Sequence, residues 1–331
     1  MTKTAELISM RDAFGDKLLA MSREHDDLYV LDGDLATSTK LDKVAELNPE
    51  RFLQMGIAEQ NMLGVAAGMA AAGLQPWVCT FAAFLVKRAL DQIAVSIAQP
   101  MLDVKLIGAY SGLLTGCTGK THQGLEDIAI MRSLPGMTVL APADAAELES
   151  MMEFARAYKG PVYIRVARDA YPAIFDSGHR FEPGKGVWLR EGSDLTIIAT
   201  GTQTSRALEA VDLLAREGVS AALLHLPSIK PIDRDAIGRA ARLTGAIVTA
   251  EEHSVIGGLG GAVAEVLVET DPVPMERVGV MDLNSESGPN DELLRKYGLT
   301  PADIAEKAKA VLARKAGRQV SGCAGHSTIG G

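Results

Sequence analysis

The chain has 331 residues, of which 47% are hydrophobic and only 5% aromatic, with a net charge of −9. That length accommodates two domains, and the acidic balance, with both signs interspersed, excludes a basic nucleic-acid footprint. The most apolar stretches carry glycine and polar breaks and are too short to span a bilayer. The N-terminal segment enters an amphipathic pattern with no signal-peptide core. A cytoplasmic chain with small-molecule and protein partners is expected. Three cysteines, Cys79, Cys117 and Cys323, lack metal-ligand spacing; they fit a reducing compartment and offer no metal site.

In chain order, "ISMRDAFGDKLLAM" places Ser9 three residues before Asp12, a capping-box-like helix start. "LYVLDGDL" reads as a buried strand and "AEQNMLGVAAGMAAAG" as a helix. "AAFLVKRALDQIAVSIAQ" is a second long helix, "VKLIGAY" a strand, "MTVLAPAD" a strand, "DAAELESMMEFARAY" a helix and "PVYIRVAR" a strand. Strand–helix alternation predicts a parallel, doubly wound α/β sheet. Between about residues 171 and 194 the pattern lapses into a proline- and glycine-containing linker with one extended arm. A second alternating block, "LTIIATGT", "AALLHLPSI", "GAIVTAEEH" and "RVGVMDL", makes a smaller α/β domain. The expected organisation is a first domain over 1–183, a second over 184–316 and a disordered Gly/Ser-rich tail over 317–331.

Several residues draw attention on chemistry. Glu59 is a lone acid at the mouth of an apolar, small-residue helix; the helix dipole alone favours an acid there. Phe81 and Phe84 lie one helical turn apart at a strand-to-helix junction and make either an aromatic wall or ordinary core. His122 sits in a Gly/Thr loop, a position that suits proton handling or ligand binding. Arg11, Arg168 and Ser38 lie near element ends; together they suit a phosphate, whose oxygens match guanidinium forks. Glu251, Glu252 and His253 are adjacent and point in different directions, which argues against a metal site. His225 is expected to pack at a strand end.

The ordered set "GDLATSTK", "MGIAEQNMLGVAAGMAAAG", "TFAAFLVKRALDQI", "KTHQGLEDIAIMRSLPGMTVLAPAD", "EEHSVIGGLG" and "SGPNDELLRKYGLT" resembles the C-terminal half of transketolases over about residues 5 to 315. The resemblance implies a thiamine-pyrimidine-binding domain followed by a transketolase C-terminal-type domain, with thiamine diphosphate as cofactor. It implies that Glu59 bonds the aminopyrimidine ring nitrogen and favours its imino tautomer. It implies that Phe81 and Phe84 flank that ring and that Asp34 lies near it. His122 is implied as a catalytic and substrate-binding group, and Arg11, Ser38 and Arg168 as phosphate-end contacts.

The sequence has no Gly-Asp-Gly, the motif that holds the diphosphate and its Mg²⁺. The resemblance therefore implies a split enzyme, with that motif on an N-terminal partner subunit and a heterotetramer as the assembly. Tyr110 and Thr118 stand where the family usually carries a His or Asp and an acid that contact sugar hydroxyls, and Lys87 stands where many members carry Tyr. The substrate expected from these departures is a branched or otherwise unusual ketose phosphate, such as apulose 4-phosphate. Two alternatives stay open: a 2-oxo acid-decarboxylating subunit, dehydrogenase β-like or 1-deoxyxylulose-5-phosphate synthase-like, and a non-catalytic scaffold.

Overall fold

The computed structural model describes residues 6–116 and 118–323, with side chains to 317. A seven-stranded sheet runs in the order Ser228–Lys230, Thr138–Leu140, Val162–Val166, Lys105–Ala109, Gln75–Phe81, Leu28–Asp32, Phe52–Gln54. Every pairing is parallel except the one at the Ser228–Lys230 edge. Gln75–Phe81, Lys105–Ala109 and Val162–Val166 are buried at every position, as strands covered on both faces must be. One face is covered by the helices Glu59–Ala71, Ala82–Arg88 and Asp127–Ser133, through Met62, Leu63, Leu85, Ile128 and Met131. The other face packs against Met10–Glu24 and Ala145–Ala157, through Phe14, Leu18, Leu148 and Met151. Ser9 is the N-cap of the first helix, its Oγ accepting from the Asp12 N–H at 3.3 Å.

A second sheet has the order Met275–Val280, Ile247–Ser254, Leu195–Ala199, Ala221–His225, Val187–Arg190, parallel but for the last strand. Val187–Arg190 is the extended arm expected in the linker. Ala170–Pro172, at the linker's start, pairs with Leu7–Ser9. The α/β class and the two parallel-sheet units follow the sequence expectation.

Three details differ from it. "AALLHLPSI" is not one strand: Ala221–His225 stays in the second sheet, while Ser228–Lys230 crosses to the edge of the first. The long helix over 82–99 breaks at Ala89 and continues as a π-helix, Gln92–Ala98. Leu85, Ala89, Ile93 and Ile97 are all fully buried at a spacing of four. On a 3.6-residue helix that spacing drifts off one face, and a wider turn brings it back. The helix Pro301–Cys323 runs through Gly317, where a disordered tail was expected, as far as Cys323; the rest of that tail, 324–331, lies outside the described residues. Among the described residues no helix is long and apolar enough to cross a membrane.

The two units are joined by buried polar contacts. Glu252 accepts from the N–H groups of Leu113 and Leu114 at 2.9 and 3.0 Å and from the Thr202 hydroxyl at 2.9 Å. Arg165 donates to both oxygens of Asp127, at 2.8 and 3.1 Å, and to the Glu252 carbonyl at 3.1 Å. Burial works against the Asp127 charge, but Arg165 beside it, with His253 and the Tyr163 hydroxyl, holds the carboxyl below its ordinary range. Glu251 accepts from the N–H groups of Leu259 and Gly260, at the start of the helix Leu259–Glu269. "EEHS" is thus an interface and a helix start, and no metal cluster occurs among the described residues. His225, fully buried at its strand end, lies 2.9 Å from Glu147 and 2.8 Å from the Thr204 hydroxyl.

Candidate active site

The first sheet sets out the candidate residues in a row. Across neighbouring strands, the residues at or just past the carboxyl ends are Arg168, Tyr110, Phe81, Asp34 and Glu59. They follow Val162–Val166, Lys105–Ala109, Gln75–Phe81, Leu28–Asp32 and Phe52–Gln54 respectively. The carboxyl edge of an open parallel sheet is where such folds hold ligands.

At one end is a cavity of about 570 Å³. Glu59, Phe81, Phe84, Asp34 and His122 line it, with Lys87, Arg88 and Lys120. Glu59 is the first residue of its helix and only 2% exposed. Arg88 Nη1 donates to both of its oxygens, at 2.8 and 2.9 Å. The Phe81 and Phe84 rings are 5.7 Å apart at 31°, and His122 stands edge-on to Phe84 at 5.1 Å. The His122 ring is 2.8 Å from the Thr121 hydroxyl through Nδ1. Asp34 is exposed at the rim with φ 66°. Its loop is held by Asp32, which accepts from the Leu35 N–H and from Gln54, both at 2.8 Å; burial raises the Asp32 carboxyl. Lys87 pairs with Glu126 at 2.9 Å.

At the other end, Arg11 donates to the Tyr110 hydroxyl at 2.8 Å and to the Ser38 carbonyl at 3.0 Å. The guanidinium carbons of Arg11 and Arg168 each lie 5.6 Å from the centre of the Tyr110 ring. The Nε groups of both arginines are buried without a hydrogen-bond partner. Tyr110 itself sits at φ 53°, a strained conformation of the kind that gathers at functional sites.

Of the residues implied to contact cofactor or substrate, the structure brings all but Thr118 into two adjoining groups. Thr118 is exposed and bonds the Thr115 hydroxyl within its own loop. Arg88 escaped the sequence reading, although its spacing of four from Phe84 puts both on one helical face.

The fit to a thiamine ring can be judged on these residues. A buried carboxylate beside two phenylalanines, at a cavity of this size, suits a flat heterocycle with a ring nitrogen. The family described as transketolase, pyrimidine binding domain, matches residues 6–173, and transketolase, C-terminal domain, matches 184–304. The chain is 43% identical to a 6-deoxy-6-sulfo-D-fructose transketolase subunit of Clostridium sp. (strain MSTE9), covering 92% of this chain and 95% of that one. It is 39% identical to an apulose-4-phosphate transketolase chain of Phocaeicola vulgatus, covering 91% and 97%. A solved structure titled split gene transketolase, inactive beta4 tetramer, superposes with a TM-score of 0.85 at 47% identity, covering 93% and 99%. By its two matched domains and these relatives, the chain belongs to the transketolase family.

Proposed function

We propose that this chain is the pyrimidine-binding subunit of a two-component transketolase, transferring a two-carbon ketol unit between anion-tailed sugars, ordinarily sugar phosphates. The observation that carries this reading is the row from Arg168 to Glu59 along one sheet edge, with the aromatic-lined cavity at its carboxylate end. Thiamine diphosphate supplies, when bound, the chemistry that cleaves and re-forms a carbon–carbon bond beside a ketose carbonyl. Glu59 takes the ring nitrogen as a buried hydrogen-bonding acid, Phe81 and Phe84 give the ring an apolar bed, and Asp34 borders it. His122, at the same cavity, is placed to bind the sugar and to exchange a proton with its hydroxyls. The diphosphate and Mg²⁺ belong to an N-terminal partner subunit, which carries the Gly-Asp-Gly motif, and two copies of each subunit make a heterotetramer.

At the substrate end, Arg11 and Arg168, with Ser38, suit a phosphate or sulfonate group. Tyr110 contributes a neutral ring where a charge is usual, which favours an unusual ketose. The relatives named for apulose 4-phosphate and 6-deoxy-6-sulfo-D-fructose agree with an anion at one end and a non-standard sugar. Reconstitution tests the reading: the chain is mixed with its partner subunit, Mg²⁺ and thiamine diphosphate, and ketol transfer is followed on a panel of ketose phosphates and sulfonates. Transfer dependent on both subunits is expected. Absence of transfer from every donor, or activity with pyruvate in its place, would overturn it.

A further inference from the structure

Arg88, which lines the cavity, has no part in the function above. Arg88 Nη1 donates to both oxygens of Glu59, at 2.8 and 2.9 Å, and the guanidinium carbon lies 4.3 Å from the centre of the Phe84 ring. A single planar cation of this chain thus occupies both the carboxylate and the aromatic face assigned to the cofactor ring. The geometry points to Arg88 as an internal stand-in for the aminopyrimidine, covering Glu59 and Phe84 until the ring displaces it. This inference rests on the reading of Glu59 given above.

Three features support displacement rather than a fixed ion pair. Glu59 is 2% exposed while the Arg88 side chain is 48% exposed, so the acid is held in place and the cation stands at the mouth. One nitrogen, Nη1, serves both oxygens; the two-nitrogen fork of the tightest guanidinium–carboxylate pairs is not formed. Arg88 is also the last residue of its helix, which gives way at Ala89 before the π-helix Gln92–Ala98. The neighbouring cation Lys87 turns to Glu126 instead, so the placement is specific to Arg88. The need is physical. A carboxylate this buried is costly without a partner, and a chain whose cofactor is completed by another polypeptide must fold before the ring arrives.

The test measures the Kd of thiamine diphosphate with Mg²⁺ for the reconstituted two-subunit complex, by calorimetry, in the parent and in Arg88→Met, Arg88→Gln and Glu59→Gln. Circular dichroism selects the folded Arg88 variant that is compared. Removing a competitor that occupies the site lowers the apparent Kd by the fraction of time it was occupied. Binding roughly 10-fold tighter or more is therefore expected in the Arg88 variant, with weaker binding in Glu59→Gln. An Arg88 variant that binds no more tightly than the parent, while Glu59→Gln binds more weakly, overturns the stand-in and leaves the reading of Glu59 intact. Parent-like binding by Glu59→Gln overturns both.

Discussion

Tyr110 lies on the face of Phe81, their ring centres 4.2 Å apart and their planes 25° from parallel. Phe81 borders the cavity that holds Glu59, and the guanidinium carbons of Arg11 and Arg168 each lie 5.6 Å from the centre of the Tyr110 ring. The two groups of the candidate site are therefore joined through one aromatic stack, and a change at Tyr110 is predicted to reach the proposed sugar site.

Tyr110→His installs a residue type usual in the family, and histidine tolerates the left-handed backbone better than most side chains. The expected outcome is a shift in donor preference toward xylulose 5-phosphate. Measured as the ratio of kcat/KM for that donor to kcat/KM for the best natural donor, it should change by about 10-fold or more. An unchanged ratio removes Tyr110 from the determinants of specificity.

Arg168→Met removes one of the two arginines flanking Tyr110. Hydrogen bonds to charged groups contribute about 1.5–3 kcal/mol, so KM for a phosphorylated donor should rise by roughly 10- to 100-fold with kcat little changed. The same sugar without its phosphate serves as control and should not distinguish variant from parent. A loss of kcat at constant KM would move Arg168 from anion binding to the chemical step.

The pair Arg165–Asp127 is buried on both sides and bonds through two nitrogens. Arg165→Met leaves that carboxylate without its cation and releases the Glu252 carbonyl across the interface. The expected loss of unfolding free energy is on the order of 3–5 kcal/mol, read from urea denaturation. A loss under about 1 kcal/mol would show that Tyr163 and His253 suffice for Asp127.

Glu147 gives the stability of the fold a pH dependence. Burial alone would raise its carboxyl, but His225, then His179 and the Ala143 N–H, bring it from the ordinary 4.5 down to about 2. A carboxyl lowered by folding adds stability above its unfolded value, and that stability is lost as pH falls toward the folded one. Thermal stability should decline between about pH 5 and pH 2, the contribution amounting to roughly 3 kcal/mol in full. In Glu147→Gln the protein should be less stable at pH 7 and its acid decline shallower. An acid limb as steep as the parent's would assign the decline to other carboxylates.

Much of the fold was legible because a parallel sheet buried on both faces writes itself as continuous apolar runs, and "VKLIGAY" and "PVYIRVAR" are such runs. Glu59 and the Phe81–Phe84 pair could be singled out because a lone acid in an apolar helix and two aromatics in an aromatic-poor chain break the local pattern. The row from Arg168 to Glu59 could not be read directly, since strand order is a long-range property and successive strands need not be neighbours. Arg88 was hidden for a related reason. Beside Lys87 it looks like a solvated basic pair at a helix end, and only the fold shows that Arg88 meets Glu59 while Lys87 meets Glu126. The crossing of Ser228–Lys230 to the other sheet was likewise invisible in "AALLHLPSI", where one apolar run serves two sheets.

The most direct test of the central claim is ketol transfer by the reconstituted complex carrying Glu59→Gln, with the folded state and thiamine diphosphate occupancy checked at saturating cofactor. A positioned acid that assists proton transfer is worth about 10²- to 10⁴-fold in rate, and the account predicts a fall in kcat of that size at full occupancy. A Glu59→Gln complex that turns over at the parent's rate would contradict it.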